Sequence, residues 1–183
     1  MKLEVLEKDS YYHIYNKGIN GTNIFENDTN KKFFLNQFSK YLANKISTLA
    51  YCLMDNHYHF VIRLNDESDI VTQGFSNFFN SYAKAFNKEN NRTGSLFEKH
   101  FKRIKLENEE YVRNLIIYVH LNPKCHLNLD FTNFKFSSYQ SFVSNKETKL
   151  ERVDVLNLFG GTENFIFCHN QKNNFLTEKH TFE

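Results

Sequence analysis

The sequence has no tryptophan, one proline, three cysteines and a net charge of only +2. It also lacks any apolar run near the ~20 residues that a membrane span requires. Each shortage excludes something. Without a long apolar stretch no membrane partner is expected, and the N-terminal MKLEVLEKDS has no signal-peptide core, so a cytoplasmic protein is expected. Cys52, Cys125 and Cys168 are odd in number, far apart and outside any CxxC pattern. That argues against a disulfide framework and for a reducing compartment. Cys125-His126 and Cys168-His169 match no zinc-finger spacing, so chance accounts for them better than a metal site does.

What is present is ordinary globular material. A chain of 183 residues, 40% hydrophobic and 24% charged, suits one domain with an appendage and can bury a core without staples. The 20 Phe and 10 Tyr, together with abundant Asn and Lys, are what an AT-rich coding sequence produces, and carry no functional reading by themselves. Charge distribution says more than net charge. Residues 84–105 carry seven basic side chains (Lys84, Lys88, Arg92, Lys99, Lys102, Arg103, Lys105) against Glu89 and Glu98, whereas residues 1–83 carry eight basic and nine acidic side chains and residues 124–183 seven of each. Such a stretch is either a solvated helix face and loop or a surface that tracks phosphates.

Periodicity orders the elements. Tyr11–Asn16 is a strand ending at Lys17-Gly18, and a helix follows over Phe33, Phe34, Phe38, Tyr41 and Leu42, with N-cap candidates at residues 27–29. Thr48–Met54 and His57–Leu64 form a hairpin about Asp55-Asn56. A second amphipathic helix spans Ile70 to about Asn87, a further strand Phe101–Leu106, and a third helix Glu109–Leu121. Pro123 should end that helix near Asn122. The order β-α-β-β-α-β followed by a helix predicts an α+β, ferredoxin-like (split βαβ) antiparallel sheet, helices on one face, with the other face open to a ligand or a further element. Residues 1–123 form the domain and 124–183 a C-terminal extension expected to contact the ligand, containing a Phe-rich segment, an apolar patch Val153–Phe159 and a polar tail.

Two short motifs carry candidate chemistry. In His57-Tyr58-His59 the two imidazoles project from one strand face about 7 Å apart, where they either share a divalent metal or are hydrogen-bonded sheet residues. Tyr118 and Asn122 lie one turn apart on one helix face: a nucleophile beside an oxygen ligand, or a core aromatic and a cap. His120 lies on another side of that helix. Together the two motifs suggest phosphodiester chemistry, with the metal polarising phosphorus and the tyrosine attacking it.

The string AYCLMDNHYHFVIRL resembles the His-hydrophobic-His strand of the single-tyrosine HUH transposases, in their REP-associated branch. SYAKAFNKENNRTGSLFEKHFKRIKLENEEYVRNLIIYVHLNP is similar to the segment from that family's second helix to its tyrosine helix, and YYHIYNKGINGTNIF and FSSYQSF resemble further landmarks. The resemblance covers residues 11–143. It implies a metal-dependent single-stranded DNA endonuclease and strand transferase acting beside DNA hairpins. It also implies Mg²⁺ or Mn²⁺ on His57, His59 and Asn122, and a 5′-phosphotyrosine at Tyr118 with release of a 3′-hydroxyl. Arg92, Lys99, Lys102, Arg103 and Lys105 then become candidate phosphate contacts. A homodimer is compatible with this scheme. The chain departs from the family at Tyr58, where an aliphatic is usual, at Asp55-Asn56, where a proline is usual, at Lys124–Leu127, and at Phe136, where the family has tryptophan. The main rival is a catalytically idle hairpin-binding module descended from such an enzyme. A replication initiator would want a second domain, and an RNA-binding ferredoxin-like domain would want an aromatic-glycine strand signature absent here.

Overall fold

The computed structural model describes residues 4–176, with the backbone alone for 174–176. The end of the C-terminal extension, 177–183, lies outside the described residues. Strand β1 (Tyr11–Lys17) leads through a short 3-10 turn to helix α1 (Asp28–Leu42), then strands β2 (Ile46–Leu53) and β3 (His57–Leu64), helix α2 (Ser68–Glu89) and strand β4 (Lys102–Leu106). Helix α3 (Glu109–Leu127) follows, then α4 (Tyr139–Val143), α5 (Arg152–Phe159) and α6 (Thr162–Leu176). The sheet order is β2-β3-β1-β4, antiparallel throughout, which is the ferredoxin-like arrangement expected from the sequence. No described helix is long and apolar enough to cross a membrane.

Strand alternation sorts the side chains into two cores. Tyr12, Ile14, Tyr58, Phe60, Ile62 and Leu64 point to one face and pack against Phe34 and Phe38 of α1 and Phe75, Phe78, Tyr82 and Phe86 of α2. The surplus of phenylalanine is spent here: Phe38 stacks on Phe60 with centroids 4.2 Å apart, and Phe34 meets Phe78 at 4.7 Å. Burying each such ring contributes about 2–3 kcal/mol. Asn27 caps α1 by accepting a hydrogen bond from Asn30 N–H at 2.9 Å.

The opposite sheet face is covered too. Ala50, Cys52, Val61 and Leu106 pack against Val112, Ile116 and Val119 of α3, and against Tyr139, Phe142, Val155, Phe159 and Phe165 from α4, α5 and α6. Side chains between Phe131 and Cys168 thus share a core with the sheet, and residue 123 lies inside α3. The extension also closes an edge. Leu53 N–H donates to Phe136 O at 2.9 Å and Ser138 N–H to Tyr51 O at 3.0 Å, so β2 offers no open edge there. A buried polar chain ties the layers together. Tyr51 N–H donates to Ser138 Oγ (2.8 Å), which lies 2.7 Å from His120 Nε2; His120 Nδ1 lies 2.9 Å from His169 Nε2, and His169 Nδ1–H donates to Phe165 O (2.8 Å). Burial pushes His169 down to about 4 and His120 well below the usual imidazole range, so the chain is held uncharged.

The expected end of α3 near Asn122 is corrected: the helix continues through Pro123 to Leu127. The true stop is Asn128, which takes a left-handed conformation (φ 53) while its N–H bonds Lys124 O and Leu129 N–H bonds Pro123 O. A mid-helix proline costs about 3 kcal/mol. Here Pro123 is buried.

Candidate active site

The hairpin turn between β2 and β3 positions the first histidine. Asp55 O accepts from Ile24 N–H (2.8 Å) and Phe25 N–H (3.0 Å), and its carboxylate pairs with the buried Lys31 ammonium at 2.7 Å. Asn56 O accepts from Gly18 N–H at 2.8 Å. A turn tied at so many points needs no proline for rigidity. A Cβ at Gly18 would lie 1.9 Å from Thr22 O, so any larger residue there forces the backbone to shift. With Asn56 held, its side-chain oxygen accepts from His57 Nδ1–H at 2.7 Å.

That bond orients the ring, and the other ring nitrogen, Nε2, lies 3.4 Å from Asn122 Oδ1. Asn122 is itself oriented, because its Nδ2 donates to Tyr118 O at 3.0 Å and so turns Oδ1 toward His57. An imidazole nitrogen and an amide oxygen, both able to ligate a cation, are thus brought to one point. Asn122 is fully buried in mid-helix, not a helix cap.

His59 follows two residues along β3 on the same face, its ring 5.2 Å from that of His57. It is 6% exposed, and burial, with smaller contributions from His13, His57 and His126, holds its pKa well below the usual imidazole range. The Tyr118 ring meets His59 edge-on at 5.7 Å. The four residues singled out in the sequence, His57, His59, Tyr118 and Asn122, are therefore brought together from β3 and α3. Among the described residues no three His, Cys, Asp or Glu side chains form a metal-holding group, so an ion here depends on the amide oxygen of Asn122. The donor set of two imidazoles and one amide oxygen fits a divalent ion and leaves its charge uncompensated.

Three further residues reach this site that the sequence did not assign to it. His13 Nε2 lies 2.9 Å from His59 Nδ1, and Tyr15 stacks on His13 with centroids 4.5 Å apart. Nothing in β1 announces them; only the pairing of β1 with β3 does. His126 packs its ring 5.2 Å from His57. It does so because α3 runs past Pro123, keeping residues 118, 122 and 126 in one stripe.

The basic candidates divide. Tyr15 pairs with both His59 and Lys102, so Lys102 shares a cross-strand row with the site. Lys99 is exposed just before it. Arg103 and Lys105 point to the opposite sheet face, where Arg103 lies over the Phe101 ring at 5.2 Å and Lys105 pairs with Glu7. Arg92 is tied to Asn87 at 3.4 Å and sits over Phe86, near the end of α2.

No family model and no curated protein matches the sequence. Among solved structures, the chain is similar to a REP-associated tyrosine transposase bound to a REP hairpin, at 15% identity and a TM-score of 0.64, over 79% of this chain and 86% of that one. A tRNA(His) guanylyltransferase from Saccharomyces cerevisiae aligns over 96% of this chain and 80% of its own at 16% identity, but its TM-score of 0.44 is too low to bear on the site. By the order of its strands, the pairing of its helices and this likeness, the chain has the fold of a REP-associated tyrosine transposase.

Proposed function

We propose that this protein is a metal-dependent transposase-type enzyme that cuts and rejoins single-stranded DNA beside a hairpin, with Tyr118 as nucleophile. The observation that carries this reading is the opposition of His57 Nε2 and Asn122 Oδ1 at 3.4 Å, with His59 and Tyr118 against them. His57, His59 and Asn122 are the ligand set for Mg²⁺ or Mn²⁺. An ion so held supplies Lewis acidity at a phosphodiester oxygen, and neutral ligands leave its full charge for the phosphate.

The protein's own residues do the rest. The Tyr118 phenolic oxygen forms a bond to phosphorus while the bond from phosphorus to the 3′ oxygen breaks. The phenol gives up its proton to solvent and the departing 3′ oxygen takes one up, leaving a 5′-phosphotyrosine and a 3′-hydroxyl. Attack by a 3′-hydroxyl on that phosphotyrosine reverses the step and rejoins a strand. A phenol with a reference pKa of about 10 needs a polarised phosphorus to react near neutrality. α3 contributes orientation: Tyr118 and Asn122 sit one turn apart and are hydrogen-bonded through the Tyr118 carbonyl.

The solved transposase of this fold is bound to a REP hairpin, and hairpin DNA is the corresponding partner proposed here. Lys99 and Lys102 are the basic side chains best placed to meet the strand; Arg92 lies farther along, and Arg103 and Lys105 serve the far side of β4. The test is a denaturing-gel assay for a covalent protein–DNA adduct, using labelled hairpin oligonucleotides from DNA flanking the gene, with Mn²⁺ or EDTA. The proposal expects a metal-dependent adduct that Tyr118→Phe abolishes. Tight hairpin binding without an adduct under any metal would leave a hairpin-binding module in its place.

A further inference from the structure

His57 and His59 are treated alike by their neighbours, although the neighbours are chemically different. The Nδ1 of His57 faces the Asn56 side-chain oxygen at 2.7 Å, and the Nδ1 of His59 faces His13 Nε2 at 2.9 Å. In each case one ring nitrogen is engaged on the side away from the partner imidazole's role as ligand.

For His59 the direction of that single hydrogen bond decides whether it can hold an ion. If His13 Nε2–H donates to His59 Nδ1, neutral His59 carries its proton on Nε2 and has no lone pair there to offer. If His59 Nδ1–H donates to His13 Nε2, the lone pair is on His59 Nε2. Ligand histidines take the second form, giving their remote N–H to a fixed acceptor that sets both tautomer and ring orientation.

His13 is built as such an acceptor. It is 7% exposed, its ring stacks on Tyr15 at 4.5 Å and 24°, and it meets the His59 ring nearly in plane, centroids 5.1 Å apart, through the hydrogen bond. Its place on β1 is set by the pairing His13↔Val61 and Tyr15↔His59, which puts it diagonal to His59 on the same sheet face. An imidazole acceptor, unlike a carboxylate, adds no negative charge, so it orients His59 without neutralising an ion bound there. We infer that His13 is a positioning residue: it holds His59 in the Nδ1–H tautomer, with Nε2 turned to the metal. The inference rests on the proposed metal site, and its test separates the two.

The test uses the full chain, ¹⁵N-labelled and metal-free, and reads the imidazole tautomers by long-range ¹H–¹⁵N NMR. Mn²⁺ binding is then followed by EPR of the free ion. His59 is expected in the Nδ1–H form. His13→Phe keeps a stacking ring but removes the acceptor, and should weaken Mn²⁺ binding by about 10–100-fold. His13→Gln restores an acceptor near the Nε2 position and should recover binding to within several-fold of wild type. His59 found in the Nε2–H form, or Mn²⁺ binding by a folded His13→Phe as tight as wild type, would overturn the role of His13. Equally weak binding by His13→Phe and His13→Gln would overturn it too, as a general packing effect. A wild type that binds no Mn²⁺, though His59 is protonated on Nδ1, would remove the metal site itself and the role of His13 with it.

Discussion

His57 Nε2 and Asn122 Oδ1 face each other across 3.4 Å, one carried by a strand and the other by the helix that bears Tyr118. Each is turned to that position by a separate hydrogen bond, from His57 Nδ1–H to Asn56 and from Asn122 Nδ2 to the Tyr118 carbonyl. This convergence of an imidazole nitrogen and an amide oxygen from two elements sets the first prediction. Asn122→Ala should lower Mn²⁺ affinity by at least about 100-fold, since loss of a ligand should cost no less than loss of an outer partner. Asn122→Asp keeps an oxygen, adds charge and should retain metal binding, measured by the same EPR titration. Equal affinity in wild type and Asn122→Ala would exclude Asn122 as a ligand.

Tyr58, between the two histidines, points into the other core. Its hydroxyl is buried without a hydrogen-bond partner, and burial raises its pKa well above the ordinary phenol value. A buried orphan hydroxyl costs about 1–3 kcal/mol. Tyr58→Phe should therefore raise the thermal midpoint while leaving adduct formation unchanged. A lower midpoint would mean that the hydroxyl is satisfied in solution.

Gly18 links the first strand to the histidine turn. A methyl group at Gly18 meets Thr22 O at 1.9 Å, and the Gly18 N–H bond to Asn56 O would be displaced with it. Gly18→Ala should cost about 1–3 kcal/mol in urea denaturation. It should also weaken Mn²⁺ binding, because Asn56 orients His57. Destabilisation with unchanged metal affinity would separate the turn from the site.

The buried chain through His169 makes stability depend on pH. Folding lowers His169 from a reference near 6.5 to about 4, so below about pH 6.5 the unfolded chain binds the proton that the folded one refuses. Stability from this group is complete above that range and falls by roughly 1.4 kcal/mol per pH unit down to about pH 4. Urea denaturation at pH 7.5, 6 and 5 should show this fall in wild type and a shallower one in His169→Gln. Parallel slopes for the two proteins would contradict it.

The sheet and its helices were legible because their signals are local. Alternation over Tyr11–Asn16 and His57–Leu64, the two-residue turn at Asp55-Asn56 and the helical spacing of Phe75, Phe78, Tyr82 and Phe86 each lie within a short window. The His57–His59 face followed from the two-residue period, and Tyr118 with Asn122 from the four-residue one. His13 was not legible, since its partner lies 46 residues away and only strand pairing joins them. The path of α3 was not legible for an energetic reason: a proline that usually ends a helix is tolerated here, where tertiary packing buries Pro123. The extension looked like an appendage because its aromatic residues have no period of their own. Phe142, Val155, Phe159 and Phe165 acquire a common partner only when the sheet's second face exists.

The central claim is that Tyr118 becomes covalently joined to DNA, and peptide mass spectrometry tests it most directly. Trypsin cleaves after Arg113 and Lys124, releasing NLIIYVHLNPK, in which Tyr118 is the single tyrosine. After incubation with hairpin-bearing single-stranded DNA and Mn²⁺ and digestion of the attached strand, that peptide should carry a nucleotide 5′-phosphate on Tyr118, and none in EDTA. Attachment at another residue, or an unmodified peptide while the DNA is cut, would contradict the account.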